Sequence, residues 1–255
     1  MIVIDGLRKY LHDRAHVISC NEDGLVAVEK PCGILSHPND DHKVNTRAIL
    51  NCRYDKNVQA YICDNIPVYL LNRLDSPVSG LMLLGLNDSI AEIVKCAFKS
   101  GNVKKVYVAL AKGFPRHMNG VWRSRLSKKI INGNLMVSCD SGDFAETRFQ
   151  VLKNFRLLGI TLSILKLMPI TGRTHQLRVH CAKNGLPIVG DETYGDISYN
   201  KFFRKNFSSY RLFLHSSYVS VDYVMNGTHR MFCAKSEIDP FCELADHIDM
   251  SGICY

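Results

Sequence analysis

The sequence has no Gly-x-x-x-x-Gly-Lys-Ser/Thr phosphate loop, no Gly-x-Gly-x-x-Gly following a strand, no Gly-x-Ser-x-Gly elbow and no His-Glu-x-x-His. Each of those motifs supplies a specific backbone turn or ligand spacing, so ATP, NAD, serine-nucleophile and zinc chemistry all lose ground. Cys-x-x-Cys is missing too. The 10 cysteines, at 20, 32, 52, 63, 96, 139, 181, 233, 242 and 254, are scattered, and free thiols in a reducing compartment are expected. No stretch reaches the ~18 to 20 unbroken apolar residues of a membrane span; the longest lie around Leu81 to Leu86 and Leu157 to Met168. The opening residues mix Asp5, Arg8, Lys9, Asp13 and Arg14 among apolar ones, which leaves no core for a secretion signal. These gaps lead to the expectation of a cytoplasmic protein with no membrane partner. Internal repeats, low-complexity tracts and long linkers are absent as well.

What is present is enough apolar material, 46% of 255 residues, to bury a sizeable core, and residues 1–255 are expected to form one domain. The net charge of +8 favours a polyanionic partner such as nucleic acid. After a short polar leading segment, residues 1–15, the alternation Leu25-Val26-Ala27-Val28 reads as the first core strand. Lys30-Pro31-Cys32-Gly33 opens a surface loop that continues through Asp41 and is expected to be free to move. Asp88 is placed to cap a helix with apolar positions Ile90, Ile93, Val94, Ala97 and Phe98, stopped by Gly101. Strands are expected at Leu81 to Leu86 and Val103 to Ala111. Others are expected at Phe144 to Leu152, Leu158 to Leu167 and Leu212 to Val221, and Asn132-Gly133 signals a hairpin. A second helix is expected from about Thr174 to Asn184, and the last 20 residues are expected to be peripheral. The sum is an α+β domain with a largely antiparallel sheet and a few packed helices.

Two segments concentrate chemistry. Leu71-Asn72-Arg73-Leu74-Asp75-Ser76-Pro77-Val78-Ser79-Gly80 sets charge directly before the apolar Leu81-Met82-Leu83-Leu84; taken alone, Asp75 reads as a turn residue. Thr171 to His180 packs Arg173, His175, Gln176, Arg178 and His180 into a helix start, where anions are favoured. Taken alone, that helix reads as a solvated basic face.

Together these residues resemble the RluA-type pseudouridine synthases. Arg73-Leu74-Asp75 with Ser79-Gly80-Leu81 is similar to that family's nucleophile motif and Lys105-Val106-Tyr107-Val108-Ala109 to its tyrosine motif. Thr171 to His180, with Pro187-Ile188-Val189-Gly190-Asp191 and Tyr194-Gly195, resembles its longest motif. Lys30-Pro31-Cys32-Gly33 and Arg211 to His215 fit its first and last signatures, so the resemblance covers about 22–222. Asn72 stands where members often have histidine, and the match loosens after Val221. With only about 20 residues before the first core strand, the small RNA-binding module of many ribosomal-RNA members is not expected.

The resemblance implies a pseudouridine synthase fold with an RNA-binding cleft, isomerising a uridine in rRNA or tRNA. Asp75 is then the essential carboxylate, attacking sugar or ring or assisting elimination, with Arg178 as the cation that keeps it ionised. Tyr107 lies against the target base. Arg73, Arg173, His175 and Gln176 contact RNA, with Arg73 as wedge or phosphate contact. Basic stretches at Arg123 to Lys129 and Lys201 to Arg211, the latter carrying Phe202, Phe203 and Phe207, offer an RNA track. Substrate and product are isomers, so no cofactor, metal or nucleotide is expected, and the chain is expected to act as a monomer. The rival reading is an RNA-binding protein without catalysis.

Overall fold

The computed structural model describes residues 6–38, 46–131, 134–139 and 141–244. In chain order its strands are β1 (His16–Cys20), β2 (Leu25–Lys30), β3 (Arg53–Asp55), β4 (Ala60–Cys63), β5 (Ile66–Leu70), β6 (Ser79–Gly85), β7 (Val103–Lys112), β8 (Asn119–Ile131), β9 (Asn134–Cys139), β10 (Asp143–Leu157), β11 (Ile160–Pro169), β12 (Leu214–Met225) and β13 (Thr228–Lys235). The helices are α1 (Asp88–Ser100), α2 (Gln176–Lys183) and α3 (Ile197–Phe207). The chain divides into two compact units, residues 1–104 with 216–238 and residues 105–215 with 239–255.

In the first unit β6 is the central strand. All seven of its residues, Ser-Gly-Leu-Met-Leu-Leu-Gly, are buried, as are all six of β2, which accounts for the unbroken apolar run. The strands follow the order β3-β4-β5-β6-β12, with β2 also on β6, β1 on β2 and β13 on β12. α1 lays Ile90, Ala91, Val94 and Ala97 onto Leu25, Ala27, Leu81, Leu83, Val219 and Val221. Each fully buried aliphatic contributes roughly 1.5 to 3 kcal/mol. The α1 cap is Asn87, one residue before the expected Asp88: its side chain accepts from the Ile90 N–H at 2.9 Å, and Asp88 becomes the acidic first helical residue. Gly101, in the left-handed conformation, ends the helix as expected.

In the second unit the strands run β7-β11-β10-β8-β9, every neighbour antiparallel. Alternation sets the faces: Ala145, Thr147, Phe149 and Val151 of β10 point inward while their neighbours point outward. The Asn132-Gly133 turn lies outside the described residues, but β8 and β9 pair up to Ile131↔Asn134 on either side of it.

Several expectations are corrected. The leading segment is not merely polar, since Leu7 and Leu11 are buried and Leu11 bridges to Leu50. The tail is not peripheral as far as Leu244. Phe241 and Leu244 join the core of the second unit with Val108, Ile164, Phe203 and Phe213. Phe203 and Phe207 face that core too, so Phe202 alone of the three is exposed and the proposed aromatic track along 201–211 is largely an amphipathic helix. The second helix starts at Gln176, two residues late, because His175 is in the left-handed conformation.

The free-thiol expectation fails at one pair: Cys52 and Cys63 are disulfide-bonded, with Cα atoms 5.4 Å apart. The reason is register. Arg53 faces Ile62 across the β3–β4 ladder, so the next residues outward face one another, at a separation of 11 that no sequence motif marks. Replacing both by serine should lower the stability of the oxidised protein by about 2 to 3 kcal/mol in urea unfolding, the loop-closure value for a ring of this size. An unchanged midpoint would show that the link does not restrain the unfolded chain.

Candidate functional site

In the first unit the functional residues follow from the β2–β6 register. Lys30 faces Gly80, so the segments after β2 and before β6 leave the ladder at the same end. Gly80 has a φ of 111°, and a Cβ there would stand 2.3 Å from the Ser216 carbonyl oxygen, so any side chain would push β6 off β12. The segment carrying Asp75 is tied down at every step. Ser36 Oγ accepts from the Leu74 N–H at 3.0 Å and donates to the Leu74 carbonyl at 2.7 Å. Gly33 N–H donates to the Ser76 carbonyl at 2.9 Å, Cys32 Sγ to that of Pro77 at 3.1 Å, and Val78 N–H closes a turn on the Asp75 carbonyl at 3.0 Å. Asn72 Oδ1 accepts from Leu83 N–H at 2.7 Å, which gives the residue at the atypical position a structural task. The loop from Lys30 to Ser36 is therefore fixed rather than mobile; residues 39–41 of that expectation lie outside the described residues.

Lys30 lies at the centre of these ties. It is fully buried, and its Nζ donates to the carbonyls of Pro31 at 2.9 Å, Ile34 at 2.8 Å and Ser76 at 3.1 Å. Burial pushes its pKa down to about 8, opposed by the charges of Cys32 and Asp75 among others. One ammonium thus joins both loops beside a half-buried Asp75.

In the second unit α2 is buried all round, Gln176 through Cys181, so the solvated-face reading fails. Arg178 forks Asp191, Nε to Oδ2 and Nη2 to Oδ1, both at 2.8 Å. Burial raises the Asp191 pKa, but the Arg178 bonds and charge and the N–H groups of Tyr194 and Thr193 outweigh it, and the net direction is down. Gly190 permits this: its φ is 80°, and a Cβ would stand 1.9 Å from the Arg211 carbonyl oxygen. The Arg178 guanidinium lies 5.1 Å from the Tyr194 ring centre, and His175 Nδ1 is 2.8 Å from the Tyr194 hydroxyl.

Gln176, an expected RNA contact, bonds within the protein. Its Oε1 accepts from Thr171 Oγ1 and Arg173 N–H and its Nε2 donates to the Glu146 carbonyl and Thr147 Oγ1, so the buried amide is fully engaged. Arg173 is exposed, with Nε on the Phe144 carbonyl and Nη1 3.3 Å from Asp143. Tyr107 is buried on β7 opposite Leu167, on the same face as Lys105, whose pKa burial lowers. His180, between Thr147 and Ser124, has its pKa pushed down to about 4 by burial and by Lys183, and His215 to about 3 by burial and by Arg211; both stay neutral at pH 7. The basic stretch of β8 is exposed at Arg123, Arg125, Lys128 and Lys129, with Arg123 donating to Glu146.

The family model described as RNA pseudouridylate synthase matches residues 24–183, which takes in the Lys30, Asp75, Tyr107 and Arg178 segments. The chain belongs to that family. It is 32% identical over 206 residues to tRNA pseudouridine synthase C of Vibrio cholerae, covering 77% of this chain and 81% of that one. It is also 32% identical over 203 residues to ribosomal large subunit pseudouridine synthase D of Borreliella burgdorferi, covering 79% of this chain and 59% of the relative. The solved structure of human RNA pseudouridylate synthase domain containing 1 shares the fold, with a TM-score of 0.66 at 24% identity over 90% of this chain and 85% of that one. The synthase is thus an RNA-modifying isomerase of mixed α+β, mostly antiparallel architecture.

Sequence reasoning assigned this synthase no role for Lys30, Ser36, Asn72 or Asp191. Lys30 and Asp191 stood inside the motifs, and a charged residue beside an apolar strand was the available signal; Asn72 was marked only by its departure from histidine, and Ser36 carried none. Replacing the Arg178 carboxylate partner by Asp191→Asn should cost about 3 to 5 kcal/mol in urea unfolding at pH 7, since a buried guanidinium loses its forked ion pair. A carboxyl held below its usual 3.8 stabilises the fold above that pH and loses its effect as pH falls through the lowered value. The difference between the two proteins should therefore persist down to about pH 4 and shrink only below it.

The Lys30 pKa is lowered as well, but here burial disfavours the charged form. Between about 8 and 10.5 the unfolded chain holds a proton that the folded chain has released, so stability should rise with pH across that window. Relative to Lys30→Met, the rise should reach at most about 3 kcal/mol. Parallel curves for the two proteins would place the ammonium in a more polar setting than this one.

Proposed function

We propose that Asp75 is the essential carboxylate with which this synthase converts uridine to pseudouridine in tRNA or rRNA, and that 1–255 work as one catalytic domain with its motif-bearing core at about 22–222. The observation that carries the reading is the clamped loop: Lys30, Ser36 and Gly33 fix the backbone on both sides of Asp75 while its side chain stays half-exposed. In the reaction the bond from ribose C1′ to uracil N1 breaks, the base turns, and C1′ bonds to C5; C5 loses a proton and N1 gains one. Nothing is oxidised or hydrolysed, so no metal, nucleotide or redox cofactor enters the balance. Asp75 attacks sugar or ring or assists elimination, in its ionised form. Tyr107 stacks on the target base, Arg178 supplies a cation oriented by Asp191, and Arg73, Arg173 and His175 contact RNA. Relatives named for tRNA and for large-subunit rRNA both match at 32% identity, which supports structured RNA of either kind. The protein works as a cytoplasmic monomer in this reading.

The test uses tRNA and rRNA from cells lacking the protein, labelled with tritium at uracil C5, incubated with the full chain in chelator. Label should pass to water without ATP, NAD or divalent metal. Asp75→Asn should release none while RNA affinity stays within about tenfold. Pseudouridine formation by Asp75→Asn at the unsubstituted rate, in a preparation free of other synthases, would remove Asp75 from this role. RNA binding without label release by the unsubstituted protein would favour the binding-only rival.

A further inference from the structure

Arg73 stands two residues before Asp75, exposed, and one of its N–H groups meets a histidine. Arg73 Nη1 lies 3.1 Å from His37 Nε2, and the other ring nitrogen, Nδ1, lies 2.9 Å from the Pro38 carbonyl oxygen. A guanidinium only donates and a carbonyl only accepts. Both contacts are made at once by a single form of the ring, the neutral one with its proton on Nδ1 and its lone pair on Nε2. We infer that His37 is a positioning residue of this synthase, a neutral acceptor that holds Arg73 in the orientation used on RNA and releases it on protonation.

The ring itself is held by the β3–β4 hairpin. It stacks on Tyr54 with centroids 5.1 Å apart and 15° between planes, and Tyr54 meets Tyr61 edge-on at 5.0 Å. The Tyr61 hydroxyl donates to the Ser36 carbonyl at 2.8 Å, and the Ser36 side chain clamps Leu74. His37 and the Asp75 segment therefore depend on the same tyrosine pair, which keeps the acceptor in register with the carboxylate. Among the described residues, the titratable groups recorded against the imidazole are Arg73, from the segment after β5, and Tyr54, from β3. Protonation puts a hydrogen and a positive charge on the side facing a guanidinium at 3.1 Å, and two cations repel where an acceptor bond had been. A long arginine without its acceptor regains rotamer freedom. Added positive charge does not weaken attraction to phosphate, so the loss falls on turnover and not on affinity.

The inference rests on the proposed role of Arg73, and the experiment separates the two. Tritium release from C5-labelled tRNA and rRNA is measured from pH 5 to 8, the range in which imidazoles change charge. Arg73→Ala should slow turnover about tenfold or more; turnover at the unsubstituted rate would overturn the role of Arg73 and this inference with it. The unsubstituted protein should lose kcat toward pH 5 while KM changes by less than about threefold. His37→Gln offers an amide oxygen near the Nε2 position at every pH, so it should lack that acid limb and stay within about threefold at pH 8. His37→Leu, without an acceptor, should be slow throughout. An acid limb that survives in His37→Gln, or full turnover by His37→Leu, would refute the positioning role while leaving Arg73 in place. Nitrogen NMR of the unsubstituted protein at pH 8 gives a check that needs no variant: His37 should carry its proton on Nδ1, and an Nε2–H form would overturn the assignment.

Discussion

The first unit depends on a fully buried lysine ammonium. Taking an ammonium out of solvent costs several kcal/mol unless oxygens replace its shell, and three carbonyls from two separate loops do so at Lys30. Those carbonyls become available only if β2 and β6 pair in the observed register and Gly80 lets β12 approach. The constraint runs in both directions: the sheet places the ammonium, and the ammonium fixes the loops. Because Ser76 is one of the acceptors, the backbone next to Asp75 is held by the same charge that burial penalises.

The second unit handles a buried cation differently. Arg178 has a planar fork and takes a carboxylate as its partner, and Asp191 is further satisfied by two backbone N–H groups. Lys30 takes carbonyl dipoles, which balance its charge less completely, and its pKa falls accordingly. The chemistry of each side chain explains the choice: a rotatable ammonium satisfies scattered oxygens, and a rigid guanidinium needs a matched pair. The Arg178 pair orients an arginine within the buried stretch of α2 from Gln176 to Cys181, and the Lys30 cluster orients a backbone.

Several residues change meaning once their surroundings are known. Gln176 reads as an RNA contact in a basic segment, yet its amide closes a network with Thr171, Arg173, Glu146 and Thr147. Phe203 and Phe207 look interleaved with basic residues, but a 3.6-residue period carries them to the core and the charges outward. Cys52 and Cys63 meet because a ladder makes them neighbours, which a count of intervening residues does not reveal.

The sequence determined the reaction class and the residues proposed for the chemistry through its resemblance to a known family, and the antiparallel α+β architecture and most strand positions through its hydrophobic periods, because both signals are local and survive in one dimension. Arg73-Leu74-Asp75, the Lys105 to Ala109 strand and the Thr171 to His180 segment were each legible from contiguous letters. Only the tertiary structure decided which carbonyls receive Lys30, that Asp191 holds Arg178, that Asn72 secures a strand, and that His37 meets Arg73. Those partners lie up to 46 positions apart along the chain, and a pairing across such distances is set by strand register and burial, quantities that no single segment contains.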